Sequence, residues 1–398
     1  MRREITTGTY WFYRGRFDRG CMNMELLLDC AVDGSALQAA AMRAIRRYPC
    51  LKFTCELSED GRQYLLTENS RAFFVFESPG FVSIEAPASN GYLWSLGYSG
   101  KRLFLSVFHG LTDGMGLAAI MKAILCFYYS ELEKSPLPED AAAEIGAEPD
   151  GLEYADPFDH ARPCSLTFPF RTPEPFLLEP EDPKAYAPYH RHAVLSLKEV
   201  LKVSRQTEGN VSGILSLILA RAVDRMTGGS STCITVKCPI NLRPMLGCTG
   251  TLQNCVSSVK YLYSEKLRKM PFPQQASCFK GMLLIQSSEE HLMNSFLAWK
   301  REVLAFNRGT SIEEKRVLSA PETGLPMVSY LGGLSAGPYD KHIGSVKVTI
   351  DTGGAIGVIA ASLGDRLYLD LLLSEKKKAL MRAFADELDA LGVSYAFE

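Results

Sequence analysis

The chain has 398 residues, 46% of them hydrophobic and 22% charged, the balance of a globular protein with sizeable cores. At about 100–200 residues per domain, that length suggests two domains or one two-lobed unit. The 43 Lys and Arg set against 45 Asp and Glu leave a net charge of −2, which excludes a strongly basic nucleic-acid binder and a polyacidic disordered chain.

No apolar run reaches the roughly 18–20 residues that span a bilayer, so no membrane span is expected. The longest, 214–223, carries Arg221. The basic start at Arg2 and Arg3 is followed by no apolar stretch and does not read as a secretory signal. The 11 cysteines include no Cys-x-x-Cys pair. They read as buried free thiols in a reducing cytoplasm, with no zinc site.

In chain order, 23–28 reads as a strand. Ser35 then caps a helix over 36–47, whose apolar positions Leu37, Ala40, Ala41, Ala44 and Ile45 share one face. Pro49 ends it. Strands follow at 52–57, 63–67, 73–77, 92–98 and 102–108, then a helix at 116–133. Nine prolines between Pro149 and Pro188 bar both helix and central strand from that segment. It reads as a crossover pinned to a surface by Phe158, Phe168, Phe170, Phe176 and Tyr186. The expected organisation is an N-terminal lobe 1–148, a crossover 149–188 and a C-terminal lobe 189–398. Beyond the crossover, strands are expected at 192–197, 233–239, 254–263, 346–351, 356–363 and 366–373. Helices are expected from Asn210 to about Met226, over most of 273–306, and at 376–391. Strands and helices mixed in both halves predict two α/β sandwich lobes.

Chemistry concentrates in Phe108-His109-Gly110-Leu111-Thr112-Asp113-Gly114. An apolar strand stops at His109, a glycine-bearing turn follows, and a helix starts after it. Imidazole is the side chain whose ordinary pKa suits proton transfer near neutrality, and a strand end can aim it into a cleft. Asp113 is placed to hold the turn by a charged hydrogen bond.

This stretch resembles the His-x-x-x-Asp-Gly motif of the chloramphenicol-acetyltransferase-like acyltransferases, among them alcohol acetyltransferases, plant acyl-CoA-dependent acyltransferases and peptide-synthetase condensation domains. Lys237-Cys238-Pro239-Ile240-Asn241-Leu242-Arg243-Pro244 resembles that family's Asn-x-Arg-Pro-like turn, and Gln253-Asn254-Cys255-Val256-Ser257-Ser258 its following strand. Arg46-Arg47-Tyr48-Pro49 fits the alcohol acetyltransferase branch. The matches run in order over most of the chain.

The resemblance implies two mixed-sheet lobes with an active-site tunnel between them. It implies that His109 is the general base, taking a proton from an alcohol or amine that attacks an acyl-CoA thioester directly. Asp113 would face away from substrate and pair with Arg243, with Gly114 in the turn. Ser329, or more weakly Asn254, would supply the donor for the developing oxyanion. Acyl-CoA would be a co-substrate, with no bound cofactor and no metal; two lobes in one chain are compatible with a monomer, and the oligomeric state stays open. Two alternatives stand beside this: a condensation-type enzyme using a carrier-protein thioester, and an inactive ligand-binding relative. Phe108 occupies the place of the first of the two consecutive histidines found in condensation domains, and the plant branch's Asp-Phe-Gly-Trp-Gly segment is absent.

Other signals are discounted. Gly332-Gly333 and Gly353-Gly354 read as turns, not nucleotide loops. His190 and His192 read as a solvated edge without a nearby carboxylate. His291 and the lysines 376–378 read as exposed, and Tyr128-Tyr129 as packing on the crossover.

Overall fold

The computed structural model describes residues 2–14, 17–164, 187–229, 233–309, 311–319, 324–352 and 355–398. Most of the crossover, with Phe168, Phe170, Phe176 and Tyr186, lies outside these, as does Gly353-Gly354.

Three sheets organise the chain. A five-stranded sheet runs Ile343–Ile350, Cys21–Leu28, Arg102–Phe108, Trp94–Ser99, Phe76–Glu77. A small sheet joins Arg2–Glu4, Tyr64–Glu68 and Phe53–Leu57. A seven-stranded sheet runs Val256–Ser264, Cys233–Asn241, Met327–Gly333, Gly357–Leu363, Arg366–Ser374, Pro188–Ser196, Tyr395–Phe397. It is mixed, because Met327–Gly333 is parallel to both neighbours while its other pairs are antiparallel.

Helices Gly34–Arg47 and Gly114–Glu133 pack on the five-stranded sheet through one apolar core. The second helix has 20 residues and a hydropathy of 1.3, long and apolar enough to cross a membrane, and 67% of its apolar stretch is buried inside the protein. That corrects the sequence estimate, which found no such run because Lys122 interrupts it. Helices Leu197–Gln206, Val211–Met226, Phe272–Gln286 and Ala379–Ala390 belong to the second half, where a separate core lies on one face of the seven-stranded sheet. The opposite face of that sheet, through Leu331, Ile359, Ala361 and Tyr368, enters the first core. The halves therefore share a continuous apolar seam rather than a thin contact.

Several local expectations change. Asp33, not Ser35, caps the first helix, accepting from Ala36 N at 2.8 Å. The strand expected at 73–77 shrinks to Phe76–Glu77. Strand Ile343–Ile350, expected with the C-terminal lobe, pairs instead with Cys21–Leu28 and completes the first sheet. Alternating burial marks a strand but does not name its partner. His192 sits on an interior strand at 5% exposure, with Nδ1 2.9 Å from Asp370 Oδ1. The carboxylate comes from 178 residues away, so no local spacing shows it. Tyr128 accepts a hydrogen bond from Asp33 N, and Tyr129 stacks on Tyr339 and His342; the crossover residues expected to meet them lie largely outside the described residues. His291 is half-buried, and Lys377 is buried at 8% exposure.

Candidate active site

Strand Arg102–Phe108 is buried along almost its whole length and carries the chain into the seam between the halves. Its end is fixed at His109, where the backbone N–H donates to Gly20 O at 2.8 Å and the chain turns through Leu111 N to Phe108 O at 2.9 Å. Asp113 then starts helix Gly114–Glu133 as its N-cap, one carboxylate oxygen accepting from Met115 N at 3.1 Å and Gly116 N at 3.0 Å. This is the usual role of an Asp before a helix. The turn is therefore set by ordinary strand and cap chemistry, and it leaves the imidazole partly exposed while burying Thr112 and Asp113.

The imidazole has one defined state. Nδ1 lies 2.9 Å from Thr112 O. A carbonyl only accepts, so Nδ1 carries the proton and Nε2 keeps its lone pair. Nε2 has no hydrogen-bond partner among the described residues. Burial lowers the ring's pKa from its usual 6.5; the hydrogen bonds and the Asp113 charge act the other way, and Arg14 adds to the lowering. A neutral ring with an open Nε2 can accept a proton at neutral pH.

Asp113 does not face the open side. Its two oxygens meet the helix N–H groups, Cys255 N at 2.8 Å, and Arg243, whose Nη1 stands 2.9 Å from Oδ2 and Nη2 3.0 Å from Oδ1. Arg243 is itself buried and donates to Thr251 O and Gln253 O, each at 2.8 Å. The structure thus brings together His109, Asp113, Gly114 and Arg243. Gly114 packs against Leu331, whose Cδ2 a Cβ there would meet at 2.5 Å, so a side chain would require that leucine to shift.

Asn254 lies beside His109. It lies just outside strand Val256–Ser264, and its Nδ2 donates to His109 O at 2.7 Å. It braces the backbone of the base. Ser329 lies half-buried on strand Met327–Gly333. Val328 and Tyr330 face the C-terminal core, while Leu331 joins the first core. Alternation puts Ser329 on the same side as Leu331, which reaches Gly114. Ser329 is at the seam but does not hydrogen-bond His109.

The start of the crossover completes the scaffold. Leu252 N donates to Glu153 O at 2.8 Å, Gln253 Nε2 to Tyr154 O at 2.7 Å, and Thr251 Oγ1 to Ala155 O at 2.8 Å. Thr112 Oγ1 in turn donates to Leu252 O. Residues 251–255 are therefore held from one side by the crossover and hold the His109–Asp113 turn from the other. A cleft of about 470 Å³ opens beside them, walled by Arg3–Thr6, Gly8, Phe53 and Tyr154 from the first part of the chain and by Gln253 from the second. It reaches the turn at Gly110 and Leu111; His109 itself does not line it.

The sequence reading missed Trp11. Its indole stacks on the His109 ring with centroids 4.3 Å apart and planes 16° from parallel, and the Arg14 guanidinium lies 4.2 Å from the indole centroid. The one signal was Gly8. A Cβ there would strike Gly110 O, so glycine lets the turn Thr9–Tyr13 close onto the Gly110–Leu111 peptide. No group of three or more His, Cys, Asp or Glu suited to a metal occurs among the described residues.

These lobes, joined across a buried seam with a strand from the second half completing the first sheet, have the chloramphenicol-acetyltransferase-like fold. No family model and no curated protein matches the sequence. Among solved structures the chain is similar to TRI101 of F. sporotrichioides complexed with coenzyme A and T-2, with TM-score 0.64 and 10% identity over 99% of both chains. It is similar to TRI3, the trichothecene 15-O-acetyltransferase of Fusarium sporotrichioides, with TM-score 0.64 and 9% identity over 98% of this chain and 95% of that one. It is also similar to the condensation domain of the Monacolin K polyketide synthase MokA, with TM-score 0.65 and 12% identity over 98% and 96%.

Proposed function

We propose that the protein is an acyltransferase that moves an acyl group from a coenzyme A thioester to an alcohol or amine, with His109 as general base. The observation that carries the reading is the His109 ring: neutral, its tautomer fixed by the Thr112 carbonyl, its Nε2 open at the seam of the two halves. Nε2 takes the proton from the acceptor O–H or N–H as that heteroatom attacks the thioester carbonyl. The tetrahedral centre then collapses, the C–S bond breaks, and the thiolate leaves with the proton returned from the imidazolium. Nothing is consumed beyond the two substrates.

Ser329 is the proposed donor to the developing oxyanion, since it shares the seam-facing side of its strand with Leu331; such donors typically supply a large part of the rate gain. Asp113 and Arg243 act by holding the turn. The carrier-protein alternative is less well supported. Phe108 is fully buried and packs edge-on against Phe12 with centroids 4.8 Å apart, so the position of a preceding histidine is filled by core.

The test is thiol release from a panel of acyl-CoAs with alcohols and amines, in the wild type and in His109→Gln. Release that depends on acceptor and is lost in a folded His109→Gln supports the reading. Acceptor-dependent release at the wild-type rate in His109→Gln would remove it.

A further inference from the structure

We infer that Trp11 is a positioning residue for the base, its indole holding the His109 ring in place with the Arg14 guanidinium on the same indole. The inference rests on the general-base reading above. It starts from the stack. An imidazole lying 4.3 Å from an indole at 16° has one ring face covered, so it cannot swing away from the orientation that the Nδ1 bond to Thr112 O prescribes. The contact joins residues 98 apart, and Gly8 carries the turn that bears Trp11 onto Gly110, where a Cβ would strike the carbonyl oxygen.

The stack also discriminates between charge states. An indole face attracts a cation far more than a neutral ring. His109 is neutral at rest and becomes an imidazolium only as it takes the acceptor's proton. The face of Trp11 therefore favours the state formed on the way to the transition state over the resting one, the kind of interaction that raises kcat rather than binding. Arg14 opposes this, since its guanidinium already lies 4.2 Å from the same indole. A second cation on that indole is repelled by the first. The remaining charge acting on the ring is Asp113, which favours the imidazolium and is itself paired to Arg243. By charge alone Trp11 and Arg14 push the base in opposite directions, the indole toward the protonated form and the guanidinium toward the neutral one, beside the larger lowering by burial, which a leucine in place of the indole would preserve.

Opposite signs make the inference testable. Trp11→Leu removes the π-face. The acid limb of kcat/KM and the NMR titration of the His109 ring are both expected to move to lower pH, and the plateau kcat is expected to fall about tenfold. Trp11→Phe keeps a ring and should recover most of that loss. Arg14→Gln removes the opposing charge, and both titrations should move to higher pH. The indole gives a readout independent of turnover. A protonated imidazole in contact quenches indole emission, so fluorescence should fall with acid at the His109 midpoint in the wild type and not in Trp11→Phe. If Trp11→Leu lowers activity while leaving both titrations where they were, Trp11 is merely structural and the inference fails. A downward or absent shift in Arg14→Gln also overturns it. The ring titration needs no substrate. Wild-type protein that turns over no thioester would refute the acyltransferase reading and leave this one to be judged on NMR and fluorescence.

Discussion

Asp113→Asn separates two roles that the carboxylate performs at once. Asn caps helices as well as Asp does, so the bonds from Met115 N and Gly116 N to Oδ1 survive the change. The oxygen facing Cys255 N and Arg243 Nη1 becomes an NH₂ group, and two donors are left pointing at a third. Arg243, 6% exposed, loses the one carboxylate it is paired to. Breaking a buried ion pair from one side costs about 3–5 kcal/mol, mostly because the surviving charge is stranded. If only the cap mattered, the cost would be near zero. Against a total stability of about 5–15 kcal/mol, the larger figure moves the urea midpoint substantially without making the fold unattainable. The assay is urea unfolding followed by circular dichroism, in Asp113→Asn, Arg243→Met and the double variant. The double variant should be less destabilised than the sum of the two singles, because removing both charges strands neither. A loss below about 1 kcal/mol in Asp113→Asn, or strict additivity, would refute the claim that this ion pair holds the turn.

Four further outcomes are expected. Because burial lowers the His109 pKa below 6.5, the neutral base persists as acid is added. The acid limb of kcat/KM should therefore lie below pH 6.5, and a limb above it would contradict the site's electrostatics. The same shift has a stability sign. The folded state prefers the neutral ring, so its contribution is complete above the unfolded pKa and is lost as pH falls below 6.5 toward the folded value. The pH dependence of the urea midpoint should flatten in His109→Gln. Gly8 has φ −92°, which suits any residue, but a Cβ would strike Gly110 O. Gly8→Ala should thus cost about 1–3 kcal/mol by forcing the backbone apart, with a larger relative loss of activity; a wild-type Tm and rate would show that the turns are not pressed together. Asn254→Leu strands the His109 carbonyl and should cost about 1–3 kcal/mol, together with the alignment of the ring, read as a fall in kcat at unchanged KM.

How much of this was legible in the sequence depends on distance along the chain. The strand ending at His109 and the helix after Asp113 follow from local pattern, and apolar periodicity gave most helices to within a few residues. The ion pair across 130 residues was anticipated only through the resemblance, since nothing local says which arginine meets Asp113. Asn254 was on the page as a residue, but its contact with His109 O spans 145 residues and has no spacing to show it. Trp11 sits among Tyr10, Phe12 and Tyr13, all aromatic; Phe12 and Tyr13 are core. Composition cannot tell the one that reaches the site from those that fill the lobe. Strand Ile343–Ile350 was recognised as a strand and given the wrong sheet for the same reason: pleat alternation specifies a face, while the partner is chosen by tertiary packing.

The wiring around residues 251–255 explains why the site needs both halves. Arg243, Asp113, Thr112 and His109 all bond to this short segment, and the crossover carbonyls at 153–155 fix it from behind. Each group alone is an ordinary cap, turn or ion pair. Together they make the position of one imidazole depend on backbone from the first lobe, the crossover and the second lobe at once. A buried polar network of this kind is costly when half-satisfied, so displacing the halves by even a hydrogen-bond length would leave several buried groups unpaired. The base is held where the two lobes meet because that is where this network closes, and the seam with its shared apolar core keeps the halves from separating.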